Sequence, residues 1–172
     1  LSKHGDDISL NAKLFERIKA VYDQKDSLGL NGEQMRLLEE TYKGFVRGGA
    51  NVPAELQTRF REINEQLSLL SLRFGNNVLK ATNEYQLVVD DKAKLAGLSN
   101  DQLAAALEAG AASPETKGKY VFTLHNPSLL PFLTNCENRE LRKDIWYAYA
   151  NRCTAGETDN TAIIDSKIGR AS

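Results

Sequence analysis

Two histidines and two cysteines are the side chains of this sequence that could most readily bind a metal ion or act as a nucleophile. A helical zinc site of the H-E-x-x-H type places two imidazoles one turn apart, with a glutamate between them. His4 is followed by Gly5-Asp6-Asp7, and His125 is followed by Asn126-Pro127. Neither histidine lies in such a motif, so we predict that both are structural or exposed and assign no metal-binding residue.

A cysteine nucleophile needs a histidine within hydrogen-bonding reach and a third group that orients it. One short predicted helix separates His125 from Cys136, but no third group is evident, so we predict a buried, unreactive Cys136. The next helix would hold Cys136 and Cys153 about 20 Å apart, which disfavours a disulfide. We expect two free thiols in a reducing compartment. Because G-x-S-x-G and phosphate-loop motifs are also absent from the sequence, we assign no catalytic and no cofactor-binding residue.

The charged residues give a weaker indication of function than the histidines and cysteines would. One predicted helix has a basic side, with Glu137 and Glu140 beside it, formed by Arg139, Arg142, Lys143 and Arg152. The favoured interpretation is a solvated, salt-bridged face; the alternative is a channel wall that attracts the carboxylate end of a peptide. The pairs Glu39-Glu40 and Asp90-Asp91 are interpreted as ordinary solvation and strand termination.

The overall charge restricts the partners. Lys and Arg total 22 against 23 Asp and Glu, a net charge of -1. Binding to nucleic acid or to a membrane surface normally needs a basic excess, so we predict neither partner. No apolar run approaches the roughly 20 residues of a membrane span, and no signal-peptide pattern opens the chain. Together with the free cysteines this favours the cytoplasm, with the periplasm as the alternative.

The N-terminal half shows helical periodicity. We predict a first helix at about 9–25, a second that begins at Asn31 with Gln34 as its capping partner, and a third, long helix with Pro53 in its first turn. The third helix has an apolar seam with steps of three and four, which runs from Leu56 to Phe74. Further apolar residues widen this seam, so a second neighbour should cover it. The second and third helices should pack as an antiparallel pair.

The C-terminal half mixes two periods. Alternating residues predict strands at 85–89 and 120–125, joined by a helix that Ser99 and Gln102 cap and that stops near Gly110; the sense of the strand pair is not predicted. A short helix from Asn126 to Phe132, a helix capped by Asn138, a polar loop at 154–160 and a weak last helix follow. The predicted fold is mainly α: a helical bundle with a long antiparallel helix pair and a small two-stranded β element. A first residue other than Met suggests a piece excised from a larger protein.

Six segments, in this order, resemble one known family: Leu10–Arg17, Leu37–Asn51, Phe74–Leu79, Asp90-Asp91 with Leu95–Leu98, Phe122–Ser128 with Pro131–Leu133, and Asn138–Arg142. They are similar to the peptidyl-dipeptidase and oligopeptidase branch of the thimet-oligopeptidase family of zinc metallopeptidases. The resemblance implies that residues 1–172 are a partial, non-catalytic region of an α-helical metallopeptidase that hydrolyses short peptides. It implies zinc in the full-length parent, bound by an H-E-x-x-H motif that this chain lacks.

The resemblance further implies that this region walls one side of a substrate channel. Its partners would be the remainder of its own polypeptide and short peptide substrates, and the isolated piece, predicted to be inactive, could self-associate. The alternative function is a helical interaction module that binds a partner helix. An H-E-x-x-H motif in the complete coding sequence would favour the peptidase.

Overall fold

The computed structural model describes residues 2–171, which divide into two compact units, one reaching Ser71 and one beginning at Leu72. These residues form eight α-helices and two short β-strands. In chain order they are α1 (Ser2–Ser9), α2 (Ala12–Asp23), α3 (Gly32–Arg47), α4 (Ala54–Glu84), β1 (Leu87–Val89), α5 (Asn100–Gly110), β2 (Tyr120–Phe122), α6 (Asn126–Asn135), α7 (Arg139–Ala150) and α8 (Thr161–Ala171). The predicted mainly α fold with a small two-stranded element is confirmed.

The first unit begins with a helix that the sequence did not predict. The predicted start of the first long helix at residue 9 was wrong, because Asn11 caps α2 by accepting a hydrogen bond from the Leu14 amide (3.1 Å). In α1, Asp6 accepts from the Asn64 amide side chain, and Asp7 accepts from Arg61, both at 2.8 Å. These contacts join α1 to the first part of α4.

Helices α2 and α3 pack through aromatic rings. Phe15 stacks on Tyr42 and Phe45, with centroid distances of 5.7 and 6.2 Å, and Tyr22 stacks on Tyr42 at 4.0 Å. The predicted capping box at the start of α3 is confirmed, since Asn31 and Gln34 bond each other's backbone. The closest helix packing of this unit joins α2 and α3, so the predicted pair of α3 and α4 is not the tightest one.

Helix α4 is 31 residues long. It starts one residue later than predicted, because Pro53 precedes the helix and its carbonyl accepts from the Leu56 amide at 2.9 Å. Within the predicted seam, the residues from Phe60 onwards are half-buried, but Leu56 is 53% exposed. The seam is therefore only partly covered within the described residues.

The second unit contains the larger core. Strands β1 and β2 pair antiparallel, with Leu87 opposite Phe122 and Val89 opposite Tyr120, which settles the strand sense. Helix α5, with the predicted capping box confirmed, packs closely on β2. Both strands are shorter than predicted. The core of buried side chains comprises Val89, Leu95, Leu103, Ala106, Phe122, Leu124, Leu129, Phe132, Cys136 and Ile145.

Helices α6 and α7 follow the sheet. Helix α6 continues to Asn135, beyond the predicted end at Phe132, and tolerates Pro131 within it. Asn138 caps α7 as predicted, by accepting from the amides of Glu140 (3.1 Å) and Leu141 (3.2 Å). On α7, Ile145 is fully buried. This helix is therefore fixed by its cap and by its core face.

A buried asparagine lies directly before α8, the last helix of the second unit. Asn160, in the predicted polar loop before α8, is 1% exposed. Its side chain accepts from Asn77 at 2.8 Å and donates to the carbonyl of Phe74 at 3.3 Å. Because buried amides must be hydrogen-bonded, these contacts hold the start of α8 against α4.

Candidate functional site

The two histidines lie in different parts of the chain, His4 on α1 and His125 before α6. Both are exposed; His4 lies on α1, and His125 is the N-cap residue of α6 with no side-chain capping bond. Among residues 2–171, no group of three or more His, Cys, Asp or Glu side chains is placed to hold a metal ion. The residues present therefore do not fit a zinc site.

Both cysteines are free, as predicted. Cys136 is 2% exposed, and its thiol points to the carbonyl of Lys94 at 3.9 Å, within the core rather than at a cleft. Cys153 is half-buried and has a φ of 60°, a left-handed conformation that is uncommon outside glycine. The exposed His125 and the buried Cys136 thus differ in environment.

The acidic pairs have ordinary roles, as predicted. Glu39 lies within 3.9 Å of Lys25 and 3.7 Å of Lys43, and Glu40 lies 3.5 Å from Lys43. Asp91 accepts from the Ala93 amide at 2.9 Å in the turn after β1. Three of these four carboxylates, those of Glu39, Glu40 and Asp91, are therefore paired or capping.

The basic side of α7 lines a cleft of about 330 Å³ in the second unit. Its lining residues, which we call the basic cleft, are Leu133 of α6 and Arg139, Arg142, Lys143 and Trp146 of α7. The four α7 positions follow steps of three, one and three, so they form one stripe on the helix. The sequence analysis identified the three cations but did not join Leu133 and Trp146 to them. The spacing along α7 could have indicated Trp146, whereas Leu133 lies on another helix.

Arg152 does not belong to this group, so its predicted place on the basic side was wrong. Helix α7 ends at Ala150, and the chain then leaves the helical path. The Arg152 guanidinium donates to the Thr82 hydroxyl at 2.8 Å and lies 3.9 Å from the centroid of the Tyr149 ring. It therefore fastens the end of α7 to α4 instead of extending the stripe.

The predicted salt bridges of this face are also absent from the described part of the chain. The ion pairs of the described residues lie on other side chains, and none includes Arg139, Arg142 or Lys143. Arg142 donates to the backbone carbonyl of Cys136, while Arg139 and Lys143 are exposed. Glu137 and Glu140 are close to these cations in the sequence, but their carboxylates lie outside ion-pair distance of them.

Resolved pKa shifts lie away from the cleft. A hydrogen bond and the charge of Glu157 raise the pKa of Lys80, and the same contact (2.7 Å) lowers the pKa of Glu157. A backbone hydrogen bond from Thr161 lowers the pKa of Asp159 below 3.8. Burial, with the charge of Asp144, raises the pKa of Tyr85. None of these groups lines the basic cleft.

Apolar side chains remain exposed in both units. On α4, three of the four residues predicted to need a second neighbour are more than half exposed: Leu69 (60%), Leu72 (63%) and Leu79 (57%). The fourth, Val78, is half-buried. In the first unit, Ile18, Val21 and Leu38 line an apolar groove of about 430 Å³ between α2 and α3, where Leu37 is 70% exposed. No helix of the described residues is long and apolar enough to cross a membrane. These surfaces are candidates for protein contacts.

Comparison with known proteins identifies relatives of this chain. No protein-family profile matches it. It is 34% identical over 172 residues to oligopeptidase A of Haemophilus influenzae, which includes 96% of this chain and 25% of the relative. It is 31% identical over 168 residues to dipeptidyl carboxypeptidase of Escherichia coli (98% and 24%) and 34% identical over 158 residues to probable cytosolic oligopeptidase A of Arabidopsis thaliana (88% and 22%). The chain thus spans about a quarter of the length of these curated relatives. Over that quarter, oligopeptidase A and dipeptidyl carboxypeptidase are homologues of this chain.

Proposed function

We propose that this chain is a segment of a zinc-dependent peptidase that hydrolyses short peptides, and that it forms part of the substrate-channel wall without supplying a reacting group. The observation that carries the proposal is the similarity to oligopeptidases and a dipeptidyl carboxypeptidase over nearly the whole chain. The described residues do not fit a zinc site, so a catalytic zinc ion would be bound by residues outside this chain. We derive no catalytic step from the residues present.

The uncovered surfaces of this segment support a role as a channel wall. The exposed leucines of α4 and the groove between α2 and α3 present apolar surface that a further part of the same polypeptide would cover. The basic cleft presents positive charge beside an indole ring. Helices packed in this way offer rigid surfaces, which suit a channel that admits short, unfolded peptides. We place the protein in the cytoplasm, which its two free thiols favour.

The apolar groove between α2 and α3 favours one alternative, a helical module that docks a partner helix. Its lining of Ile18, Val21 and Leu38 is of the kind that receives the apolar face of a helix. In that case a foreign helix, and not the chain's own polypeptide, would cover the groove.

The test uses the complete protein from which the chain comes. We expect it to cleave a fluorescence-quenched peptide of about eight residues, to lose this activity with a chelator and to regain it with zinc. The 172-residue chain alone should show no turnover under the same conditions. A complete protein without an H-E-x-x-H motif and without peptide cleavage would contradict the proposal and favour the interaction module.

A further inference from the structure

Asn31 and Gly32 form the one Asn-Gly pair of the sequence. An asparagine in this position can lose its amide group without an enzyme, because the backbone nitrogen of the following residue can attack the side-chain carbonyl carbon. Glycine favours this attack, since it has no side chain beside the nitrogen and allows a wide range of backbone angles. Both residues are exposed at the start of α3, so water reaches them. A methyl group added at Gly32 would meet no atom within 4 Å, so the attacking nitrogen is unhindered.

The backbone at Asn31 is closer to the reacting geometry than the backbone at two other asparagines that cap helices. Ring closure brings Cβ, Cα, the carbonyl carbon and the next nitrogen into one plane, which in an L-residue requires a ψ of about −120°, because the substituents of Cα are evenly staggered. Asn31 has a ψ of 172°, roughly 70° from that value, whereas Asn11 (99°) and Asn138 (104°) are roughly 140° away. Ala12 and Arg139, and not glycine, follow these two caps. The chain therefore contains two internal controls for the reaction.

The capping box of α3 restrains this reaction in the folded chain. Asn31 Oδ1 accepts from the Gln34 amide at 2.9 Å, and the Asn31 amide donates to the Gln34 side-chain oxygen at 3.0 Å. The Asn31 carbonyl also accepts from the Met35 amide at 2.9 Å. Rotation of ψ turns this carbonyl away, so the ring forms only when the first turn of α3 frays. As the first helical residue, Gly32 has an N–H without an acceptor inside the helix, so no helical bond has to break at the attacking nitrogen.

We propose that Asn31 is a site of spontaneous deamidation, which the capping box of α3 slows but does not prevent. The Gly32 nitrogen loses its proton to hydroxide and attacks Cγ of Asn31. The new C–N bond forms, the Cγ–Nδ2 bond breaks, and ammonia leaves with a proton from water. Water then opens the five-membered ring, either at Cγ to give aspartate or at the backbone carbonyl to give isoaspartate. The sum is the addition of one water molecule and the loss of one ammonia molecule, so no oxidant or reductant is needed. This inference does not depend on the proposed function.

The two products act differently on the start of α3. Aspartate at position 31 keeps an oxygen that accepts from the Gln34 amide, and its negative charge is favourable at a helix N-terminus. Isoaspartate inserts an extra carbon atom into the backbone, so the oxygens bonded by the amides of Gln34 and Met35 lose their spacing. Leu30 and Gln34 line the apolar groove between α2 and α3. Isoaspartate therefore disturbs residues of this groove, whereas aspartate adds a charge beside it.

Mass spectrometry of the full chain tests the site. The chain is incubated at mildly alkaline pH and digested, and we expect the peptide with Asn31 to gain the mass difference between NH2 and OH. The peptides with Asn11 and Asn138 should stay unchanged. Labelling with a protein isoaspartate methyltransferase detects the isoaspartate product. In concentrated guanidinium chloride the reaction should be roughly fivefold faster, the factor that a helix cap of this kind contributes. No modification of Asn31, equal modification of the three asparagines, or equal rates with and without denaturant would overturn the inference.

Two glycines of the same helix give a matched pair of variants. Gly32→Ala places a side chain beside the attacking nitrogen and should reduce the deamidated fraction at Asn31 to the level at Asn11. Gly44→Ala, also on α3, should leave the rate unchanged. Both variants should fold, because a methyl group meets no atom within 4 Å at either position, which far-UV circular dichroism checks. A Gly32→Ala chain that deamidates as fast as the parent chain would refute the attack by this nitrogen.

A third variant tests the restraint by the capping box. Gln34→Ala removes the acceptor of the Asn31 amide and keeps the backbone donor to Asn31 Oδ1. The first turn of α3 should then fray more often, and the folded chain should deamidate roughly two- to fivefold faster. The rate in denaturant should be the same as for the parent chain, since the box is absent there. An unchanged or slower rate in the folded Gln34→Ala chain would show that the box does not control the reaction.

Discussion

Two adjacent leucines of α6 give a matched test of the second core. Leu129 is 1% exposed and belongs to the buried cluster with Phe132, whereas Leu130 is 55% exposed. Leu129→Ala and Leu130→Ala remove the same atoms from the same helix, so their effects on helix propensity are equal. Any difference in the free energy of unfolding therefore measures burial.

The size of this difference follows from the exposed fractions. Leucine to alanine removes three carbon atoms, worth roughly 2.4 kcal/mol at about 0.8 kcal/mol per buried methylene group. At Leu129 the full transfer term applies and a cavity term adds to it, for a total loss of about 3–4 kcal/mol. At Leu130, with about half of the side chain in water and no enclosed cavity, we expect a loss of about 1 kcal/mol or less. The two variants should differ by roughly 2–3 kcal/mol.

Urea unfolding followed by Trp146 fluorescence reports on this unit, because Trp146 is its one tryptophan. With a slope of about 1–3 kcal/mol per molar urea, the midpoint of Leu129→Ala should fall by roughly 1–4 M. The midpoint of Leu130→Ala should move by less than about 1 M. The slope should stay constant in both variants. Equal midpoint shifts would refute the placement of the core, and a larger loss at Leu130 would invert the inner and outer faces of α6.

Three further predictions concern single positions. A thiol reagent should label the half-buried Cys153 within minutes and the buried Cys136 only after denaturant is added, and Cys153→Ser should remove the fast reaction. Gly97→Ala should cost more than about 3 kcal/mol in a urea titration, because φ is +89° and a methyl group would lie 2.0 Å from a backbone carbonyl of α6, whereas Gly75→Ala, in open space on α4, should stabilise by about 0.5–1 kcal/mol. A backbone hydrogen bond from Thr161 lowers the pKa of Asp159 in the folded state, so its charge stabilises the fold at neutral pH and ceases to do so as the pH falls through the folded value. The urea midpoint of Asp159→Asn should therefore lie below that of the parent chain at pH about 7, and the two midpoints should converge as the pH is lowered through that value.

The starts of α3, α5 and α7 were predictable from the sequence because their capping signals are local. The pairs Asn31 with Gln34 and Ser99 with Gln102 lie three residues apart, and each forms the reciprocal hydrogen bonds that this spacing predicts. Asn138 caps α7 for the same reason. The two strands were also predicted, from the two-residue alternation of their side chains. Their antiparallel sense depends on pairing between residues far apart in the sequence, which this alternation does not reveal.

Features that depend on distant residues were missed. Helix α1 has few apolar side chains and is joined to α4 by Asp6 and Asn64, which are 58 residues apart in the sequence. Arg152 was misplaced because its partner, Thr82, is 70 residues away. The basic cleft was recognised only in part: composition revealed its cations, but the absence of ion pairs there depends on side-chain geometry. A pattern shows which residues share a face, whereas contacts across the fold decide what that face meets.

The two kinds of uncovered surface in this chain have different consequences. Exposed leucines such as Leu69, Leu72 and Leu79 gain free energy when another protein surface covers them, at about 25 cal/mol per Å² of apolar area. The exposed cations of the basic cleft, Arg139 and Lys143, lose hydration if they are buried without an anion, so protein cover there carries a penalty. An assembly that follows these energies closes over the leucines and leaves the basic cleft open to water. Such an arrangement suits the channel wall that we propose, because it anchors the segment through its apolar faces and leaves its charged cleft exposed to solvent.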